Sequence, residues 1–353
     1  MEEAGTRRAG IDLGKRTRET AIAGKNGKTA AGNGKTRAAG RQALHRKLRP
    51  GDKAAIEAGN MAFAMAKEIE AAVGCKAYVL NPSRLAVICK SMKKTDKEDA
   101  LKLAHILEDF REERLPTVAV PSDEEMERRK PLSSYRREQG SRTRAINRLR
   151  ALFVSQGITT MRRKDLARAA ARGLSVGRLV GLEREEAERL IECLSLCEKR
   201  LAALDVRMKE SAAGDEAIER LQTVPGVGPK VAFAFVARAL ASRFDNAGQA
   251  SNYLGLAPRA RMSGEMVRYG GITKRGNGYV RALLVQAAWA LKARFGRMTA
   301  EKGLSGKKSA VAVARQMAEL LYALLRDGSE YEARPFMGGR LGGEELAATA
   351  LRE

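Results

Sequence analysis

A change of hydrophobic period near residue 123 constrains this chain more than any other feature. From there to Met208, apolar residues recur at alternating spacings of three and four. Leu132, Tyr135, Gln139, Arg142, Ile146, Leu149 and Phe153 form one row; Ala187, Leu190, Leu194, Cys197, Leu201, Leu204 and Met208 form a second. This alternation holds side chains on one stripe of an α-helix, and a strand of period two does not display it. Two such helices with a basic connector predict an antiparallel coiled coil or a dimer arm. Two ordinary amphipathic helices packed on a core would share the spacing, but polar Gln139 and Arg142 in the first row favour an arm.

Before the switch, strands and helices alternate. Residues 9–13, 20–23, 53–57 and 76–80 read as strands, and 117–120 as a last one before Pro121. The turn Lys25-Asn26-Gly27-Lys28 predicts a hairpin, although residues 25–37 are low in complexity. Helices are expected over 61–73 and from an N-cap at Thr95 through Leu107. This order predicts an α/β layer fold with a mixed sheet. After the arm, residues 221–229 form a turn, 230–240 a helix of small residues, 255–278 a loop rich in Gly and Arg, and 279–295 and 309–325 two more helices. The tail after Asp327 reads as poorly ordered. The boundaries drawn are 1–122, 123–213, 214–330 and 331–353.

Charge names the class of partner. Lys and Arg number 66 against 42 Asp and Glu, a net charge of +24. Such an excess repels itself unless a polyanion neutralises it, and nucleic acid is the polyanion whose counterions these side chains displace. A basic ribosomal or membrane-surface protein would carry a similar charge. Between Arg128 and Arg150 there are nine basic residues and one acidic one, Glu138. That face, with Arg128, Arg129, Arg136, Arg137, Arg144 and Arg148, reads as a phosphate-binding surface. No apolar run approaches the ~20 residues that cross a bilayer. The four cysteines form no C-x-x-C pair and there are two histidines, which argues against zinc. Without a signal peptide or a disulfide framework, a reducing cytoplasm is expected.

Four carboxylates carry the chemistry. Asp12 interrupts an apolar strand in Gly10-Ile11-Asp12-Leu13, where an unpaired charge is costly. Glu57 ends the next core strand. Asp96 and Asp99, three apart, share one face at a helix start. Taken singly, Asp96 favours a helix dipole and Glu57 a strand-end ion pair. Together the four suit Mg²⁺ or Mn²⁺ in phosphoryl chemistry. In Val224-Pro225-Gly226-Val227-Gly228-Pro229, Gly226, Gly228 and Lys230 resemble a helix-hairpin-helix turn approaching phosphate. A plain interhelical turn reads the same way. From Leu256 to Arg297 there are nine basic residues and one acidic one. Ser263-Gly264 lies among them with no histidine near, which argues against an ordinary hydrolase triad.

At these residues the chain resembles the DEDD transposases of the insertion-sequence one-ten group, recombinases guided by a bridge RNA. The resemblance runs through Gly10-Ile11-Asp12, Glu57, residues 94–100, Asn147-Arg148-Leu149, residues 224–229, Gly255-Leu256-Ala257-Pro258, Ser263-Gly264 and Ile272-Thr273-Lys274-Arg275-Gly276-Asn277. It implies an RNase H-like (RuvC-type) N-terminal domain whose tetrad is Asp12, Glu57, Asp96 and Asp99. It implies a coiled-coil middle and a mostly α C-terminal transposase domain with Ser263 as nucleophile. It also implies donor and target DNA, a guide RNA, and a tetramer (a dimer of dimers) in which one subunit's serine completes another's tetrad. Arg259, Arg261, Lys274 and Arg275 are then the expected phosphate contacts, and a prokaryotic cytoplasm, at the nucleoid, the expected place of action. Two other functions fit the residues alone: a junction-resolving nuclease using water, and a nucleic-acid-binding protein without catalysis.

Overall fold

A computed structural model of the chain describes residues 6–24, 28–88, 95–239, 243–263, 266–291 and 306–332. It divides into two compact units, Met1–Ser122 and Asp123–Glu353.

In the first unit, β1 (Arg8–Leu13) pairs antiparallel with β2 (Thr17–Ala23), and β2 with β3 (Thr29–Lys35). On the other side of β1, β4 (Lys53–Glu57) and β5 (Lys76–Leu80) add in parallel. The sheet is therefore mixed, in the order β3-β2-β1-β4-β5. Helices α1 (Ala38–His45), α2 (Ala62–Val73), α3 (Pro82–Ile88) and α4 (Asp96–Asp109) complete the unit. Period-two alternation sends side chains to both faces. Ile11, Ile22, Ile56 and Val79 bury one face with Leu44 of α1 and Met65, Ala66 and Ile69 of α2. On the other face, Ala21 and Ala23 meet Ala100 and Ala104 of α4. Ala55, Tyr78 and Leu80 meet its Leu103, Ile106 and Leu107 there. Each large aliphatic group so buried contributes about 1.5–3 kcal/mol. The result is a helix–sheet–helix stack, the layering that the strand–helix alternation predicts.

The predicted hairpin is present as β2–β3, and one expectation is corrected here. Residues 29–35, of low complexity in sequence, form β3. Their small side chains leave room for long neighbours: a Cβ on Gly34 would stand 2.4 Å from Arg18 Nη1, and one on Gly32 3.2 Å from Lys47 Nζ. Residues 117–120 do not form a strand. Thr117 makes a single bridge to Leu80, and Pro116 and Pro121 flank a segment too short to extend it, since proline donates no ladder hydrogen bond. The turn residues 25–27 lie outside the described residues.

In the second unit, α5 (Asp123–Ser155), of 33 residues, spans about 50 Å. It packs along α8 (Gly181–Glu210), with α6 (Arg163–Leu166) and α7 (Ala169–Val176) in the connector. Ion pairs Glu138–Arg200, Arg142–Glu198 and Arg148–Glu186 run in opposite numerical order, so the two helices are antiparallel within one chain. Leu132, Ile146, Leu149 and Phe153 of the first row are buried, as are Ala187, Leu194, Cys197 and Met208 of the second; Gln139 is exposed. Arg172 of α7 is fully buried and gives Glu198 two hydrogen bonds, of 3.1 and 2.7 Å. With Arg142 it holds the Glu198 carboxyl below the usual range.

Beyond the arm, α9 (Glu216–Gln222), α10 (Pro229–Arg238), α11 (Ala247–Tyr253), α12 (Gly278–Ala288) and α13 (Gly306–Asp327) enclose Phe233, Phe235, Leu254, Leu284, Met317 and Tyr322. The stretch 255–278, expected as loop, instead carries a two-stranded ribbon, β6 (Pro258–Ser263) with β7 (Met266–Ile272). Arg259, Ala260, Met266, Arg268 and Tyr269 are all exposed, so these residues mark no buried face in the sequence. The helix expected to reach 295 ends at Ala288; residues 292–305 and the tail 333–353 lie outside the described residues. Among the described residues, no helix is long and apolar enough to cross a membrane.

Candidate active site and nucleic-acid interface

Strand alternation places Asp12 on the same face as Gly10, and Glu57 on the same face as Ala55. Gly10 and Ala55 both lie against α4. Ile11 pairs with Ile56 in the parallel register, so the two carboxylates follow side by side at the C-terminal ends of β1 and β4. Helix α4 approaches so closely that a Cβ on Gly10 would stand 1.9 Å from the Ala100 carbonyl oxygen. Its first turn brings Asp96 and Asp99. The expected N-cap is present: Thr95 Oγ1 accepts a hydrogen bond from the Glu98 N–H at 3.3 Å. Acids in this turn also suit the helix dipole.

The electrostatics tie the four together. Burial pushes the Asp12 carboxyl above the usual carboxylate range, and Asp96, Asp99 and Glu57 push it further, against a backbone hydrogen bond from Leu13. Repulsion of this kind is what a divalent cation relieves, and an all-oxygen donor set suits Mg²⁺ or Mn²⁺. The arrangement is open: among the described residues, no three His, Cys, Asp or Glu side chains stand close enough to hold a metal ion. Lys102 Nζ meets Asp99 at 2.7 Å. A fifth carboxylate, Glu19, stands opposite Asp12 in the β1–β2 register and thus on the same face. Sequence reasoning misses it because the strand read from residue 20 starts three positions too late, leaving Glu19 outside.

Ser263 ends β6 in register with Met266. The side chains of Ser263 and Arg261, and residues 264–265, lie outside the described residues. The root of the ribbon is locked by two glycines with left-handed φ of +70° and +84°. A Cβ on Gly255 would stand 2.0 Å from the Arg275 carbonyl, and one on Gly276 1.8 Å from that of Tyr253. Thr273 N–H donates to Ala257 at 2.9 Å and Lys274 N–H to Gly255 at 3.2 Å. The two Gly-containing motifs flanking the ribbon therefore brace one another.

The expected phosphate contacts divide into two groups. Arg128 pairs with Asp215 at 2.8 Å, Arg148 with Glu186 at 2.6 Å and Lys230 with Asp205 at 2.7 Å, all within the fold. Arg129 donates to the Ala237 carbonyl at 2.9 Å. Gly226 backs onto α12, where a Cβ would stand 2.8 Å from the Ala287 carbonyl, and Gly228 is the N-cap of α10. Arg136, Arg137, Arg144, Arg259, Lys274 and Arg275 are exposed, as is Arg148 despite its ion pair.

Residues 9–156 match the IS110-type DEDD transposase domain, and residues 218–302 the "Transposase IS116/IS110/IS902 family". The chain is 31% identical over 250 residues to the "Probable family 20 transposase" of Pseudomonas aeruginosa, covering 67% of this chain and 74% of that one. It is 30% identical over 253 residues to "Putative transposase y4rJ" of Sinorhizobium fredii, covering 66% and 64%. It is 29% identical over 205 residues to the "Transposase for insertion sequence element IS1111A" of Coxiella burnetii, covering 54% and 56%. The chain thus spans less than two thirds of the last two relatives' lengths.

Proposed function

This chain belongs to the IS110 family of transposases, and from that premise we propose that it cuts and rejoins DNA through a serine-linked intermediate. Ser263 Oγ attacks the phosphorus of a DNA phosphodiester. One new O–P bond forms, one P–O bond to deoxyribose breaks, and the freed sugar oxygen leaves as a hydroxyl after taking up a proton. Rejoining reverses the exchange with another strand's hydroxyl. Arg259, Arg261 and Lys274 steady the phosphate as charge develops on its oxygens. Asp12, Glu57, Asp96 and Asp99 would hold Mg²⁺ or Mn²⁺, which supplies Lewis-acid stabilisation when bound.

The observation that carries this reading is the convergence of β1, β4 and α4 on Asp12, whose carboxyl is raised by burial and by its three companions. The five-stranded mixed sheet supports an RNase H-like, RuvC-type domain around it. Target choice falls to base pairing with a bridge RNA, while the protein's cations bind backbone without reading sequence. The working form is a dimer of dimers. Val180 and Leu182, 72% and 75% exposed at the far end of the arm, supply apolar surface for that association.

The test is a cleavage assay with Mg²⁺, target DNA and the co-expressed RNA, resolved on denaturing gels. Wild type should give a protein–DNA adduct that both Ser263→Ala and Asp12→Asn abolish. Cleavage that survives Ser263→Ala with no adduct would instead assign the chemistry to water and the carboxylates alone.

A further inference from the structure

Four arginines gather where α5 meets the end of α10. Arg129 Nε donates to the Ala237 carbonyl, and Arg238 Nη2 to Ser133 Oγ at 2.8 Å. Arg243 is ion-paired with Glu125, whose carboxylate lies 3.6 Å from Arg129 Nη2. The side chains of Arg129 and Arg243 are only 13% and 16% exposed. Two buried nitrogens, Arg129 Nη2 and Arg238 Nε, have no hydrogen-bond partner among the described residues. Burial and the neighbouring Arg243 lower the Arg129 guanidinium from its usual range; burial, Arg129 and Arg136 do the same to Arg238. Glu125 counters this at Arg129. Glu125 offsets two of these charges in part, and the remaining positive excess, crowded and half-desolvated, costs stability that a further anion would relieve.

The surroundings indicate which anion. Arg136 is exposed and Tyr253 is 38% exposed, and both act on the Arg238 charge, so the cluster communicates with the surface. Arg129, Arg136 and Arg144 lie seven and eight residues apart on one helix and so share a face. A small anion would meet only the cluster, whereas a chain of phosphates meets the whole row.

We propose that Arg129, Arg136, Arg238 and Arg243 form a binding site for a backbone phosphate of nucleic acid. The site rests on the reading of this chain as a nucleic-acid-processing enzyme. Neither Arg238 nor Arg243 stood out in the sequence, because each is a lone cation in an otherwise apolar or mixed segment.

The test compares wild type, Arg238→Gln and Arg136→Gln. It measures affinity for a 30-mer DNA duplex and for a 30-mer structured RNA across a salt series, and the thermal midpoint of each free protein. Loss of one phosphate contact should weaken binding roughly fivefold to tenfold near 0.1 M salt and flatten the log–log salt slope by about one unit. The arm that shows the change, DNA or RNA, names the strand held there. Arg238→Gln keeps a donor for Ser133 and removes a repelled charge, so the free protein should melt no lower than wild type. Arg136→Gln, at an exposed position, decides the matter if Arg238→Gln fails to fold. Unchanged affinity and slope in the folded variants, with wild type still binding, would overturn this site and leave the proposed function standing. If wild type binds neither polymer, both readings fall.

Discussion

At Gly10 the strand has no side chain, and α4 lies where one would be. Ala100 O, Ala104 N and Leu103 Cβ all fall within 3 Å of a Cβ built there, at 1.9, 2.6 and 2.9 Å. The first two are backbone atoms, so a methyl group cannot be absorbed by a rotamer change; the helix must move. Gly10→Ala is therefore expected to cost at least the ~1–3 kcal/mol of an overpacked core, read as a drop in thermal midpoint. It should also separate Asp96 and Asp99 from Asp12 and so remove metal-dependent cleavage. A variant as stable and active as wild type would show that α4 is not held by this contact. Asp12 was legible in the sequence because a carboxylate within an apolar run demands a reason. Gly10 was not, because glycine in a strand has many causes and only the packed helix reveals which applies. Glu19 escaped because register, not composition, puts it beside Asp12.

The two long helices are the elements that the sequence displays most openly, since a three–four period marks a helix and the polar Gln139 and Arg142 within it mark an arm. The reason its seam tolerates Arg142 emerges only from the connector: α7 folds back and buries Arg172 against the same Glu198. Glu198→Ala leaves a fully buried guanidinium without its partner and should destabilise the second unit by about 3–5 kcal/mol. The pH dependence has a definite sign. Because the folded state holds Glu198 below its ordinary range, its contribution is complete above the unfolded carboxylate pKa and disappears as pH falls through the lowered folded value. The gap in stability between wild type and Glu198→Gln should accordingly be widest at neutral pH and close in acid, as followed by circular dichroism. A gap independent of pH would place the effect in packing. The β6–β7 ribbon is the opposite case. Its exposed residues Arg259, Ala260, Met266, Arg268 and Tyr269 give no apolar alternation to read, so the sequence reads as loop; only the paired Gly255 and Gly276 motifs at its root leave a trace.

On the scale of the whole molecule, the positive excess of +24 coexists with a patch of four acids, Asp12 and its three companions. Most acids elsewhere in the described residues face a cation, whereas these crowd against one another, and that mutual repulsion at Asp12 is the physical core of the functional reading. Its strain has a readable consequence. The raised Asp12 carboxyl means that its charged form is disfavoured in the fold, so at pH above the raised value ionisation subtracts stability. Asp12→Asn should then be no less stable than wild type when metal is absent. The most direct measurement is a Mn²⁺ titration of wild type and Asp12→Asn at neutral pH, following free Mn²⁺ by electron paramagnetic resonance and the thermal midpoint in parallel. Wild type should take up Mn²⁺ and gain about 2.7 kcal/mol when the ion is a hundredfold above its Kd, and Asp12→Asn should do neither. Equal uptake by both proteins, or a wild type that binds no Mn²⁺, would contradict the assignment of Asp12, Glu57, Asp96 and Asp99 to one cation site.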